Sequence, residues 1–534
     1  METENKKKII EYFLGKGVLL STDFIEKLDD AANPEELHKL LSEQLDKNDL
    51  LILTKDIESS LMNKGSADVN WLELEKSKAF LEKGKGDVEK QYQKFIDYLH
   101  EEKPKPAEPA PAQSAYSVKV TSSYVEKSRK RSVDDFVQFF NTRFKALEKI
   151  LRCRQELQNV TSINRILAKK DKENISVIGI VSDIQTTSNN NLVLVLEDPT
   201  GSIKVLVNKN KPPLYESAKT IVLDEVIGIA GVNGDRIIFA NNILWPDIPV
   251  NKELKKSPDE CYAAFISDIH VGSSYFLPDE FNKFIKWING ESGNEQQRLL
   301  ASKIKYLFII GDLVDGCGIY PEQEKELLIN DAKQQYDECA RLLQQIPGSI
   351  QIIICPGNHD AMRIAEPQPE FYRDFAANLY SLKNVTIVSN PALINIHSSN
   401  DFSGFNVLLY HGYSFDYYAN NVDYLRSNGG YNRADLIMRF LLQRRHLAPT
   451  HISTQYIPDA NNDPLVISSI PDFFVTGHIH YSVAANYRNI TMISSSCWQS
   501  KTVFQEKMGH EPQPARVPIV NLQTRKIKIL KFGN

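Results

Sequence analysis

Residues 472–480 read DFFVTGHIH, an apolar run that breaks into a histidine pair at His478 and His480. An unbroken apolar run of this length is how a strand covered on both faces reads. Alternate residues of an extended segment point the same way, so the two imidazoles share one side. The construction recurs upstream. YAAFISDIH (262–270) ends in Asp268 and His270, and YLFIIGDLVDG (306–316) turns polar at Asp312 and Asp315. IQIIICPGNHD (350–360) ends in Asn358, His359 and Asp360, and VLLYHG (407–412) ends at His411. Helical stretches such as Pro278–Trp287 and Asp331–Gln345 lie between them. Strands alternating with helices predict an α/β domain over 258–534, with function at the carboxyl ends of its strands.

Taken singly, each cluster is weak: a lone DxH caps a turn far more often than it binds an ion, and a lone histidine is usually satisfied inside a core. Together and in one order, they form an Asp, Asn and His donor set without thiolate. Such a set favours Mn²⁺, Mg²⁺, Fe²⁺ or Zn²⁺ in a mixed nitrogen and oxygen site.

The ordered pattern DxH…GD…GNHD…H…GHxH resembles the calcineurin-like metallophosphoesterase superfamily, with every block present. The resemblance implies a four-layer α/β domain holding two divalent ions, Mn²⁺ foremost. By it, Asp268, His270 and His480 would hold the first ion and Asp312 would bridge. Asn358, His411 and His478 would hold the second. His359 would face the scissile phosphate as a catalytic residue, with Asp360 orienting its ring and Asp315 standing behind a ligand. Two cations roughly 3.5–4 Å apart can clamp a phosphodiester and acidify a water for in-line attack.

Outward from this domain, Ile175 to Ile248 changes to a strand-like period with turn signals such as Asp198–Gly201. Residues 171–250 therefore predict a small barrel, most simply an OB-type one. Ser132 to Leu151 predicts a helix, with Ser132 and Asp135 as its cap and Val133, Phe136, Val137, Phe140, Phe144, Leu147 and Leu151 as its apolar face. It belongs to a connecting segment, 132–170. The segment 101–131, with KPKPAEPAPA at 103–112, predicts a flexible linker. Residues 1–100 predict a helical module, so the chain as a whole is a multidomain α+β protein.

The net charge of −5 at pH 7 advertises no nucleic-acid binding in bulk, so any such surface must be a local patch. One candidate lies between His411 and Gly477, where Arg433, Arg439, Arg444 and Arg445 interleave with tyrosines such as Tyr418, Tyr424 and Tyr431. Arginines with aromatics are what a single-strand groove uses. KSRKR (127–131) is a weaker candidate. The six cysteines form no CxxC pair, which fits a reducing compartment. No run approaches the ~20 apolar residues of a membrane span. The expectation is a soluble cytoplasmic, nucleoid-associated protein with no membrane partner.

The order of helical module, linker, barrel and phosphoesterase resembles the small subunit of the archaeal D-family DNA polymerase. FISDIHVGSSYF (265–276), LEDPTGSIKVLV (196–207), IFANNILWPDIP (238–249) and QPARVPIV (513–520) carry the resemblance. It implies a 3′→5′ proofreading exonuclease acting on DNA 3′ ends. Its partners would be a separate large polymerising subunit, primer–template DNA and, through the holoenzyme, a sliding clamp. Two competitors remain: a structural subunit without catalysis, which loss of a ligand would favour, and a free-standing phosphatase or repair nuclease, which would not need the barrel.

Overall fold

The computed structural model describes residues 117–534 apart from 127, 128, 158, 170, 171, 460, 508 and 534, together with residues 9, 12, 13, 19, 20, 35, 52 and 53. The chain divides into two units, Met1–Ala112 and Gln113–Asn534. The helical reading of residues 1–100 and the Pro-rich run 103–112 fall almost wholly outside the described residues. Those described include helical positions at Ile9, Tyr12 and Phe13, and a parallel pairing of Leu19–Leu20 with Ile52–Leu53.

The second unit begins with a correction to the linker. Strand β1 (Val118–Ser123), inside the segment read as flexible, pairs antiparallel with Ala392–Ile396. VKVTSS is β-branched at alternate positions, and an open sheet edge supplies the hydrogen bonds that the segment lacks by itself.

Helix α1 (Val133–Leu151) follows, and the Ser132 backbone N–H donates to Asp135 Oδ2 at 2.8 Å. Its buried stripe is Phe139, Arg143, Phe144, Leu147 and Leu151, whereas Val133 and Val137 are exposed. The expected stripe is thus rotated over its first half. The cause is Arg143, which is wholly buried, donates from Nε to Asp463 Oδ2 at 2.7 Å and donates to the Pro449 carbonyl at 3.0 Å. Apolar periodicity does not anticipate a charged residue in the core face.

Strands β2 (Asn174–Thr186), β3 (Leu192–Asp198), β4 (Gly201–Val207), β5 (Val226–Asn233) and β6 (Ile237–Leu244) close a barrel in the order β2-β3-β4-β6-β5. The β4–β6 pair is parallel and the other pairs are antiparallel. A short helix, Pro212–Ala218, lies between β4 and β5. Inward-facing aliphatics such as Val177, Leu194, Val205, Ile229 and Ile238 fill the barrel.

The remaining chain, with β1 at the edge of the second sheet, forms two six-stranded sheets. The first is built around β7 (Tyr262–Ile266), β8 (Ile304–Ile310) and β9 (Gln351–Cys355), all parallel. The second contains β10 (Ala392–Ile396), β11 (Phe405–Leu409), β12 (Phe473–Thr476) and β13 (Ile490–Ser494). Along β8 the side chains alternate between two cores. Tyr306, Phe308 and Ile310 pack between the sheets, while Leu307 and Ile309 pack under the helices Pro278–Ile288 and Ala332–Leu343. The helix α2 (Ala434–Arg444) covers the outer face of the second sheet through Met438, Leu441 and Phe474. The order is helices, sheet, sheet, helices. Strands buried on both faces explain why their sequences read as apolar runs without alternation.

Candidate metal centre

The five polar blocks meet at the carboxyl ends of β7, β8, β9, β11 and β12. The chain turns sharply there: Asp268, His270, Asp312, His478 and His480 all adopt positive φ, between 50° and 69°. Non-glycine residues rarely occupy that region, and each such residue costs roughly 1–3 kcal/mol unless its surroundings impose it. The glycines before them have a different task. A Cβ on Gly311 would overlap the His411 ring, and one on Gly357 would overlap the Asp312 carboxylate. Both glycines let neighbouring blocks close on each other.

Asp268, His270 and His480 form one half of the centre. Nε2 of His480 lies 3.3 Å from Asp268 Oδ1 and 3.2 Å from Nε2 of His270. Asp312, His411, His478 and Asn358 form the other half. Nε2 of His411 lies 3.3 Å from Asp312 Oδ2 and 3.0 Å from Asn358 Oδ1. Asp312 Oδ2 also lies 3.9 Å from His270 Nε2, which places this carboxylate between the halves. Donor atoms about 3–3.4 Å apart are what ligands at 2.0–2.2 Å from one ion require. The donor set therefore fits two divalent ions.

Each ring presents one nitrogen inward because the other is engaged. His270 Nδ1 is 3.0 Å from Asp315 Oδ1, and His411 Nδ1 donates to the Ile310 carbonyl at 2.9 Å. His478 Nε2 is 3.1 Å from Asp416 Oδ2, and His480 Nδ1 is 2.9 Å from the Gln505 amide nitrogen. The three oxygen partners fix the orientation and tautomer of a metal-ligating imidazole, while the Gln505 amide, which donates to His480 Nδ1, fixes that ring's orientation. Asp315 is itself held by Gln323 at 2.8 Å and Gln499 at 3.1 Å. Of these partners the sequence pointed only to Asp315. Asp416 and Gln505 carry no spacing signal, since what selects them is distance in space.

Burial by itself would raise the carboxyls of Asp268 and Asp312. His480 beside the first and His411 beside the second hold them below the ordinary carboxylate range. The His359 imidazole is lowered, chiefly by burial. Its Nδ1–H donates to the Asp315 carbonyl at 3.0 Å, which leaves Nε2 as its second functional atom.

Two expectations need correction. Asp360 makes no contact with the His359 ring. Its carboxylate accepts from the backbone N–H groups of Gly357 at 2.8 Å and Leu313 at 3.2 Å, and from the Tyr336 hydroxyl at 3.1 Å. It fastens the loop bearing Asn358 to the loop bearing Asp312, and burial pushes its pKa up to about 7. The arginine cluster also divides. Arg444 is buried against Glu225, lies over the Phe440 ring at 3.3 Å and donates to the Thr220 carbonyl. Arg445, also buried, donates to the carbonyls of Ile467 and Ser468 at 2.7 and 2.8 Å. Arg444 thus joins the barrel to the phosphoesterase domain, Arg445 ties that domain's own loops, and both are turned inward. Arg433 is exposed and paired with Asp435, while Arg439 lies over the Tyr487 ring at 5.2 Å. Tyr418 is core. In KSRKR, Arg129 pairs with Asp135 at 2.7 Å and Arg131 donates to the Pro458 carbonyl at 3.3 Å.

A family model described as calcineurin-like phosphoesterase matches residues 263–482. The chain is 40% identical over 424 residues to the DNA polymerase II small subunit of Methanothermobacter thermautotrophicus, covering 79% of this chain and 84% of that one. It is 37% identical over 451 residues to the protein of that name in Archaeoglobus fulgidus, covering 83% and 88%. The corresponding figures for Pyrococcus abyssi are 36% over 459 residues, 83% and 72%. Identity of this extent runs well beyond the phosphoesterase blocks, and the chain therefore belongs to the family of archaeal DNA polymerase II small subunits.

Proposed function

We propose that the chain is the 3′→5′ exonuclease subunit of a replicative DNA polymerase, removing nucleotides from DNA 3′ ends beside a separate large polymerising subunit. One observation carries this reading. Every ligand-type residue of the centre is retained, and each imidazole is turned inward by its own outer partner. A subunit used only as a scaffold has no need to maintain these contacts, which join residues 25 to 101 positions apart.

In this reading Asp268, His270 and His480 would hold one divalent ion, Asn358, His411 and His478 would hold the other, and the Asp312 carboxylate, lying near both halves, would contribute to each. Such ions, with manganese the first choice, supply charge neutralisation at the phosphate and acidify water. His359, with Nδ1–H held by the Asp315 carbonyl, has Nε2 available for the departing 3′-oxygen. As an imidazolium it donates a proton there while the P–O bond breaks. Burial opposes that charge and the nearby Asp312 carboxylate supports it. The barrel, whose strand order is that of an OB-type fold, serves with the outer face of the phosphoesterase domain as the platform for the large subunit. Primer–template DNA then reaches the centre, and a sliding clamp is a partner only through the holoenzyme. Arg433 and Arg439 remain as DNA contacts in this reading. The protein acts in the cytoplasm, at the nucleoid.

The test uses 3′-labelled and 5′-labelled single strands with Mn²⁺ or chelator, comparing wild type with His359→Ala and Asp312→Ala. Stepwise loss of 3′ nucleotides that needs metal and both residues is the expected result. Two bound ions without DNA cleavage, alone or with the large subunit, would overturn it.

A further inference from the structure

Between β13 and β14 (Arg516–Asn521, a strand of the first sheet) the chain makes an excursion along the rim of the centre. It is tied to the first half-site at three points. Gln499 Nε2 donates to Asp315 Oδ1 at 3.1 Å, the Gln505 amide meets His480 Nδ1, and the Gln513 backbone N–H donates to the His480 carbonyl at 2.8 Å. Farther along, His510 packs on Tyr431 at 4.4 Å between ring centroids.

On this strap the short helix Val503–Lys507 carries Val503 and Phe504, which are 45% and 63% exposed. A single exposed apolar residue needs no explanation. Phe504 differs by position, because the next residue touches a ligand of the centre. The aromatics closer in are already engaged: Tyr320 donates to Glu326 at 2.8 Å, Tyr413 packs against His478 and Tyr431 against His510. Phe504 keeps an open ring face. Lys507, also exposed, is three residues on and shares a helix face with it. A ring and a cation side by side are what a single strand uses, one for a base and one for its phosphate.

We propose that Phe504 stacks on a base of the bound strand beside the scissile bond, with Lys507 on the adjoining phosphate. The consequence is specificity. A base can cover the Phe504 ring only after leaving its neighbour in a duplex, so the site takes unpaired ends in preference to paired ones. This inference rests on the exonuclease reading and adds to it the residue that recognises a base beside the scissile bond.

The test compares the full chain, F504A and F504W on a 3′-labelled oligonucleotide and on bis(p-nitrophenyl) phosphate, a diester without a base. Selectivity is the ratio of the two kcat/KM values. Stacking of one base corresponds to a fall in this ratio of about tenfold or more in F504A, recovered in F504W. A ratio in F504A that is unchanged or raised, or one that F504W fails to restore, overturns the stacking role and leaves the exonuclease reading intact. Wild type that hydrolyses the small diester and no oligonucleotide overturns the DNA reading itself, and this inference with it.

Discussion

Nε2 of His270 and Nε2 of His480 face one another at 3.2 Å, while the far nitrogen of each ring is already engaged, by Asp315 and by Gln505. With Asp268 Oδ1 only 3.3 Å from His480 Nε2, the two nitrogens and the carboxylate oxygen crowd donor atoms at the spacing that ligands of one cation need. Metal should therefore stabilise the fold. Mn²⁺ at 100 times its Kd adds about 2.7 kcal/mol per site, read as a rise in melting temperature over chelator-stripped protein. Asp312→Ala should lose most of that rise, since its carboxylate lies near both halves. An equal rise in wild type and variant would place the ion elsewhere.

Asp315 and Asp416 act through the histidines they hold. Replacing either by Asn should weaken Mn²⁺ binding roughly 10- to 100-fold by calorimetry. Each variant should affect one ion, Asp315→Asn the one at His270 and Asp416→Asn the one at His478. Unaltered affinities would reduce both carboxylates to packing.

His359 and Asp360 are neighbours with separate tasks. His359→Ala should abolish turnover while metal affinity and melting temperature stay near wild type. Asp360→Ala strands the donors of Gly357, Leu313 and Tyr336. It should cost roughly 1–3 kcal/mol of stability per buried unsatisfied group, seen in chemical denaturation, and weaken metal binding as the two loops separate. The opposite pattern would restore Asp360 to the catalytic machinery.

Among the arginines, burial decides the outcome. Arg444→Ala leaves the buried Glu225 carboxylate without its ion-pair partner. That should destabilise by roughly 3–5 kcal/mol. Arg433→Ala, on the surface, should leave the unfolding midpoint in place and lower oligonucleotide affinity in anisotropy measurements.

The triad Arg143, Asp463 and His446 should contribute one acid-sensitive part of the stability. His446 Nε2–H donates to Asp463 at 2.9 Å while Nδ1 accepts from the Ala448 backbone N–H at 3.0 Å, a fit only the neutral ring satisfies. Burial, then the Arg143 guanidinium, lowers its pKa to about 4. Against an unfolded value of about 6.5, the unfolded chain takes up this proton first. The contribution is whole above about pH 6.5 and is lost as pH falls through about 4. Glu366, raised by burial to about 7, works in the opposite sense over part of this window. The comparison of wild type with His446→Gln isolates the histidine: the gap in unfolding free energy should narrow by about 2 kcal/mol between pH 7 and pH 5. A gap that does not change with pH would refute the neutral ring.

The α/β domain and the ligand blocks were legible in the sequence because each block is a local event, an apolar strand followed at once by the group it delivers. Gly311 before Asp312 and Gly477 before His478 mark the turns for the same reason, and the barrel was legible through its period and turn residues. The linker was misread over Val118–Ser123, because a six-residue strand takes its stability from the sheet edge it joins and little from itself. Arg143 and Asp463 are 320 positions apart, and His480 and Gln505 meet across a loop, so no spacing foretells either pair. Arg444 and Arg445 resemble surface charges in any composition, yet Glu225 and two carbonyls draw them inside. Which atoms are offered to a metal ion can be read along the chain, since those are set within a few residues of each strand end. How those atoms are aimed and which charges are buried emerges on folding, because orientation and desolvation depend on neighbours that the chain supplies from far away.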